Sequence, residues 1–118
     1  MSESQRKTYR PWEPQRYRQE AQSPDAKLPE GDVVFFLLDL VPRLDLRRFY
    51  APYEDETRGA PPFDPAMMVC LLLYAYCVGV PSSRKIERRT HEDVAFRVLC
   101  ANAHPDHKAI SEIGRAHV

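Results

Sequence analysis

Phe63-Asp64-Pro65-Ala66-Met67-Met68-Val69-Cys70-Leu71-Leu72-Leu73-Tyr74-Ala75-Tyr76-Cys77-Val78-Gly79 is the stretch that decides the fold. Asp64 offers a side-chain acceptor to the first free N–H groups of a helix. Pro65 suits the first helical position, where its fixed φ is already helical and its missing N–H is not needed. Nothing between Ala66 and Val78 interrupts a helix, and Gly79 adopts readily the left-handed conformation that ends one. The spacing predicts a helix from Pro65 to Val78. Met67, Met68, Val69, Leu71, Leu72, Leu73, Tyr74 and Tyr76 leave it no polar face, so it belongs at the centre of a bundle or in an interface between chains. The longest uncharged apolar run, Ala66 to Val80, falls short of the roughly 20 residues that span a bilayer, so no membrane partner is expected.

Carboxy-terminal to this helix, Gly79-Val80-Pro81-Ser82-Ser83 reads as a tight helix–helix connection. Ser82 or Ser83 caps a helix from Arg84 to Thr90. His91-Glu92-Asp93 is expected to open a further helix, its acids complementing the helix dipole. Val94, Ala95, Val98 and Leu99 share one stripe of it, which Phe96 widens. Asn102 to His104 break the chain, and Pro105-Asp106 starts a last helix. On the amino-terminal side, Asp32 caps a helix from Val33 to Val41 that Pro42 kinks or ends. Asp45 caps a short helix from Leu46 to Tyr50. Ala51 to Phe63 form a loop broken by Pro52, Gly59, Pro61 and Pro62; its acids, Glu54, Asp55 and Glu56, read as solvated surface. No alternating strand pattern competes. The expected fold class is all-α: a small helical bundle over residues 32–111 with a helix-turn-helix-like unit, preceded by a disordered polar tail over residues 1–31.

That tail lacks apolar periodicity and cannot bury enough surface to offset its ordering entropy. Its aromatics Tyr9, Trp12 and Tyr17 are interleaved with Arg6, Lys7, Arg10, Arg16 and Arg18. They suit either stacking on bases between phosphate contacts or loose packing on the domain. The amino terminus has no apolar core, so it is not read as a signal peptide. The three cysteines, Cys70, Cys77 and Cys100, form no disulfide framework. On a helix Cys70 and Cys77 would stand about 10 Å apart. This cysteine usage suits a reducing cytoplasm.

Lys and Arg number 17 against 17 Asp and Glu, a net charge of +0 over 118 residues. No global basic field exists, so a nucleic-acid reading rests on local clusters. The informative cluster is Arg84, Lys85, Arg88 and Arg89. At 100° per residue these side chains fall within an arc of about 140°, while Ile86 points to the opposite side and anchors the helix. A basic helix that follows a buried helix through a short turn has the layout of a helix-turn-helix. Arginine suits phosphates and guanine edges because its fork donates two hydrogen bonds at once. Arg97 and Lys108 are secondary candidates. Cys100, His104, His107 and His91 lie close in sequence, but their spacing matches no zinc module. No GxSxG elbow and no phosphate-cradling glycine loop occurs. No catalytic residue and no cofactor is therefore expected, and the chain is read as not an enzyme by itself.

Phe63-Asp64-Pro65-Ala66-Met67-Met68, Leu71-Leu72-Leu73-Tyr74-Ala75-Tyr76 with Gly79, Ser82-Ser83-Arg84-Lys85-Ile86-Glu87, Glu92-Asp93-Val94-Ala95-Phe96-Arg97 and Pro105-Asp106-His107-Lys108-Ala109-Ile110-Ser111 occur in this order. Together, over roughly Asp32 to Ser111, they resemble the InsH-type amino-terminal domain of bacterial DDE insertion-sequence transposases. The resemblance implies an all-helical domain that binds the terminal repeats of a transposon as double-stranded DNA. It also implies a following RNase H-like domain, not contained in this chain, whose acidic triad binds divalent metal such as Mg. Transposases act as multimers, so a homo-oligomer is a further expectation, and a protein-interaction module is the alternative function. Pro42 and the tail before Asp32 match no feature of that family. Ile113-Gly114-Arg115-Ala116-His117-Val118 is what a common sequencing adapter encodes in one frame, so residues 112–118 are expected to be a non-native read-through tail on a truncated fragment.

Overall fold

Helix α4 (Pro65–Val78) forms where its sequence places it. Asp64 is its N-cap, accepting the Ala66 N–H at 2.9 Å. The same Oδ1 accepts the Tyr50 hydroxyl at 2.5 Å, and burial together with this bond pushes the Tyr50 phenol well above its ordinary pKa. At the other end Gly79 has φ 75°, its N–H reaches the Tyr76 carbonyl at 3.3 Å, and the Val80 N–H reaches the Ala75 carbonyl at 2.9 Å. This pair of bonds is the Schellman arrangement, and the buried Val80 supplies the apolar contact that accompanies it.

The computed structural model describes residues 9–19, 27–51 and 63–116, and no strand occurs among them. The acidic loop residues Glu54, Asp55 and Glu56, and the tail cations Arg6 and Lys7, lie outside the described residues. In chain order α1 (Pro14–Tyr17) precedes α2 (Val33–Leu40), a 3-10 turn (Val41–Arg43) and α3 (Arg47–Tyr50); α4 leads to α5 (Ser83–Glu92), α6 (Val94–Leu99) and α7 (His107–Ala116). The architecture is the all-α bundle that the sequence predicts. α4 is its axis, packed by α2, α3, α6 and α7, and α5 lies against α6 and α7. Phe96, Met67, Leu71, Leu99, Ile110 and Ile113 are the largest fully buried side chains, and the Tyr74 and Phe96 rings meet edge to face at 5.0 Å.

Several sequence expectations change in detail. The last turn of α4 is not buried: Tyr76 is 87% exposed and Val78 44%. α2 does end at Pro42, one residue earlier than expected: its last α-helical residue is Leu40, and Pro42 lies in the 3-10 turn that follows. α3 starts at Arg47 with Leu46 at its N-cap, although Asp45 still accepts the Arg47 N–H at 3.2 Å. His91 and Glu92 belong to the end of α5, not to the start of the next helix. Asp93 is the N-cap of α6, accepting from Ala95 and Phe96, so a single cap does the work expected of a run of acids. α7 continues through Ile113, which is 1% exposed.

Residues 9–19 follow the packing reading of the tail. The Trp12 indole N–H donates to the Leu99 carbonyl at 2.8 Å, at the end of α6. Tyr9 meets Tyr50 edge to face, Arg10 lies over Phe63, Arg18 lies over Phe35, and Tyr17 is buried. These anchors are single side chains with no shared period, which is why the sequence pattern carried no sign of them. No described helix is long and apolar enough to cross a membrane; α4 and α5 pass that test only as a pair, and they bend by 96°.

Candidate nucleic-acid interface

α5 begins after the turn Gly79 to Ser82, with the Ser82 hydroxyl accepting the Lys85 N–H at 3.4 Å. Ile86 and Thr90 are its buried residues. Ile86 at 2% exposure contributes about 1.5–3 kcal/mol of apolar burial. Thr90 is fully buried without cost because its hydroxyl donates to the Glu87 carbonyl at 2.7 Å. With that side fixed to the core, Arg84, Lys85, Arg88 and Arg89 all face solvent and are exposed. The helix has the cationic face and apolar foot that the sequence predicts.

Two contacts tie α5 to α7. The Glu87 carboxylate accepts the His107 backbone N–H at 2.8 Å and lies 2.9 Å from the His107 Nδ1. The Ser111 hydroxyl donates to the Ser83 hydroxyl at 3.1 Å. Positions 83 and 87 thus meet 111 and 107, so the two helices run antiparallel with matched i, i+4 faces. His107 holds the Glu87 carboxyl below the usual carboxylate range. Glu87 is the acid nearest the cationic arc in sequence, and it is spent on α7 rather than on the arginines.

Asp93 is committed as well, whereas Glu92, one turn after Arg88 on the same helix, is exposed and has no ion pair among the described residues. Asp93 caps α6 through Oδ1, and its Oδ2 lies 3.4 Å from the Arg89 Nη1. That pair is half-exposed and screened by water, a contact of small worth. Arg84, Lys85 and Arg88 have no ion pair within 4 Å among the described residues. Helical geometry turns exposed Lys108, on the first turn of α7, to the same outer side as Arg84 and Arg88. Arg97 sits apart on α6, half-buried, near His104, whose protonation is depressed chiefly by burial and to a lesser degree by Arg97. The structure therefore brings Arg84, Lys85, Arg88 and Lys108 onto one two-helix surface, holds Arg89 at its edge beside Asp93, and leaves Arg97 behind it.

The Cys100, His104, His107 and His91 group does not converge. Cys100 is buried and its thiol is pushed up by desolvation. His107 faces Glu87, while the His91 and His104 rings stack at 3.9 Å, a face-to-face arrangement in which the ring nitrogens do not point at a common centre. No group of three or more His, Cys, Asp or Glu side chains able to hold a metal occurs among the described residues. The three tail rings are likewise turned onto the protein, so stacking on bases is not what Tyr9, Trp12 and Tyr17 do in this structure. Sequence reasoning missed the Glu87–His107 tie and the histidine stack. Glu87 was visible as an acid able to pair, but nothing in the sequence names a partner 20 positions away.

The described residues define the class of small all-α helical domains, here with a basic helix on a buried foot. The comparison with known families gives the particular one: the transposase domain DUF772 matches residues 22–115, and the chain belongs to that family. No curated protein and no solved structure matches the chain.

Proposed function

We propose that this chain is the DNA-binding part of a bacterial insertion-sequence transposase, of the InsH type, which recognises the transposon ends as double-stranded DNA during transposition in the cytoplasm. The observation that carries this reading is the exposed face of Arg84, Lys85, Arg88 and Arg89 opposite the buried Ile86 and Thr90. Membership of a transposase family supports it. So does the angle of 96° between α4 and α5 across a short turn that starts at Gly79, since helix-turn-helix pairs cross at about 90–120°. In this reading α4 props α5 against the duplex, and Lys108 and Arg97 add charge around it. Strand transfer belongs to a separate DDE domain, which would hold the divalent metal. Asp64 and Asp93 cap helices and Glu87 binds His107, so these three acids are not free for that task.

Titrating a fluorescent duplex at two salt concentrations tests the proposal. Affinity should fall steeply with salt, by about 0.9 in log K per unit log salt for each phosphate neutralised. Arg88→Ala with Arg89→Ala should flatten that slope. Binding that ignores salt, or survives the double change untouched, rejects the assignment.

The exposed end of α4, with Tyr76 at 87% and Val78 at 44%, favours a second reading, self-association through this helix. A light-scattering mass that rises with concentration is its expected result, and a monomer at every concentration refutes it.

A further inference from the structure

Between α5 and the start of α7 lies an open recess of about 510 Å³, lined by Arg84, Glu87, Arg88, His91, Glu92 and His107. We infer that this recess is a positioning site for a single DNA backbone phosphate, clasped between the Arg84 and Arg88 guanidinium groups. The inference rests on the DNA reading above and assigns unequal tasks to the cations of that face.

Arg84 and Arg88 stand one turn apart, about 5–6 Å between their Cβ atoms, on the side of α5 that borders α7. Neither has an ion pair within 4 Å among the described residues. Two carboxylates line the recess with them: Glu92, which is exposed, and Glu87, which is held by the His107 N–H and faces its ring, so it is not free to close over the arginines. Two unpaired forks one turn apart suit the two non-bridging oxygens of one phosphodiester monoanion, because each fork presents parallel donors to them. Arg89 is different. It leans to the other edge of the helix, where Asp93 already faces it at 3.4 Å. Lys85 projects beyond the recess and does not line it. Contacts to phosphate fix register and orientation and carry no base sequence, so the recess would seat the helix and leave base reading to other side chains of the same face.

The test uses the full chain and a labelled duplex of random sequence, titrated at several salt concentrations. Replacing both arginines by lysine keeps the charge and removes the forks; this should weaken binding several-fold at fixed salt with little change in slope. Replacing both by alanine should lower the slope by the equivalent of about one phosphate, because the pair shares one. Thermal melts confirm that the variants fold, as these side chains are exposed. Wild-type affinity in the lysine pair, or a slope loss worth two phosphates in the alanine pair, overturns the recess while leaving the DNA reading in place. A wild-type chain that binds no duplex at low salt removes the recess and the DNA reading together.

Discussion

Gly79 and Ala101 form a matched pair whose exchange measures how the turn before α5 is held. Gly79 has φ 75° and ends α4; Ala101 has φ 51° and, with Asn102 at 65°, ends α6. Both ends use the same bonds. The Asn102 N–H reaches the Arg97 carbonyl at 3.0 Å and the Ala101 N–H reaches the Val98 carbonyl at 3.1 Å, as Val80 and Gly79 do on α4. One left-handed position is thus filled by the residue that suits it, and the other by a residue that does not. A Cβ built on Gly79 meets nothing within 4 Å, so the penalty of Gly79→Ala is backbone strain alone. Placing an L-residue in the left-handed region costs about 1–2 kcal/mol, and the stiffer unfolded chain returns about 0.4–1 kcal/mol. The net expectation is a loss of about 1 kcal/mol for Gly79→Ala and a gain of similar or smaller size for Ala101→Gly. For a domain of this size 1 kcal/mol moves the melting temperature by roughly 4–8 °C. Thermal melts by circular dichroism, with urea titrations as a second measure, should show shifts of opposite sign. The reasoning fails if both variants move the same way, or if Gly79→Ala is neutral. Because Gly79 sets the 96° bend that presents α5, its variant should also alter DNA affinity without altering the salt slope.

Trp12→Phe keeps the ring on the bundle but strips the Leu99 carbonyl of its donor; the expected cost is about 1 kcal/mol by urea unfolding, and since Trp12 is the one tryptophan of the chain, its emission in the parent protein reports release of this segment directly. His104 gives a pH dependence: burial and then the stacked His91 ring depress its pKa below the ordinary histidine value, the Thr90 carbonyl opposes this, and Arg97 adds to it. A depressed histidine takes up more protons in the unfolded chain, so the stability it permits is complete above the unfolded value and is lost as pH falls below about 6.5. Melting temperature should therefore drop between pH 7.5 and 5.5, and His104→Gln should reduce that drop; an identical pH profile in the variant would refute the role. Cysteine labelling should separate the three thiols. Exposed Cys77 should react promptly in the native protein, while buried Cys70, pushed up to about 12, and buried Cys100 should react only after denaturation; rapid loss of all three thiols would show that the core opens readily.

The long elements were legible because local rules and packing agree there. Asp64-Pro65 and Gly79 bracket α4, and the alternation of cations with Ile86 and Thr90 orients α5, each through signals only a few residues apart. The boundary between α5 and α6 was less legible, because His91-Glu92-Asp93 satisfies both an ending and a beginning, and only the bond from Asp93 to the Ala95 N–H decides. The candidate cations were readable as a set. Their inequality was not, since it depends on Asp93 reaching back to Arg89 and on α7 lying along the Arg84 side.

The residues that shape this face most were the least visible, and the reason is general. Glu87, Ser83, His107 and Ser111 are ordinary surface types in sequence, and a polar residue on an amphipathic helix is by default solvated. Their pairing arises only once Ile86, Ile110 and Ile113 have been drawn into one core and have set α5 and α7 side by side. Apolar burial fixes which helices meet, and the meeting then selects which polar side chains lose their water to one another. That order of events makes the recess a consequence of the core: a change at Ile110 or Ile113 would separate α7 from α5, release the Glu87 carboxylate from His107 to pair with Arg84 or Arg88, and weaken the proposed phosphate contact without removing a single positive charge.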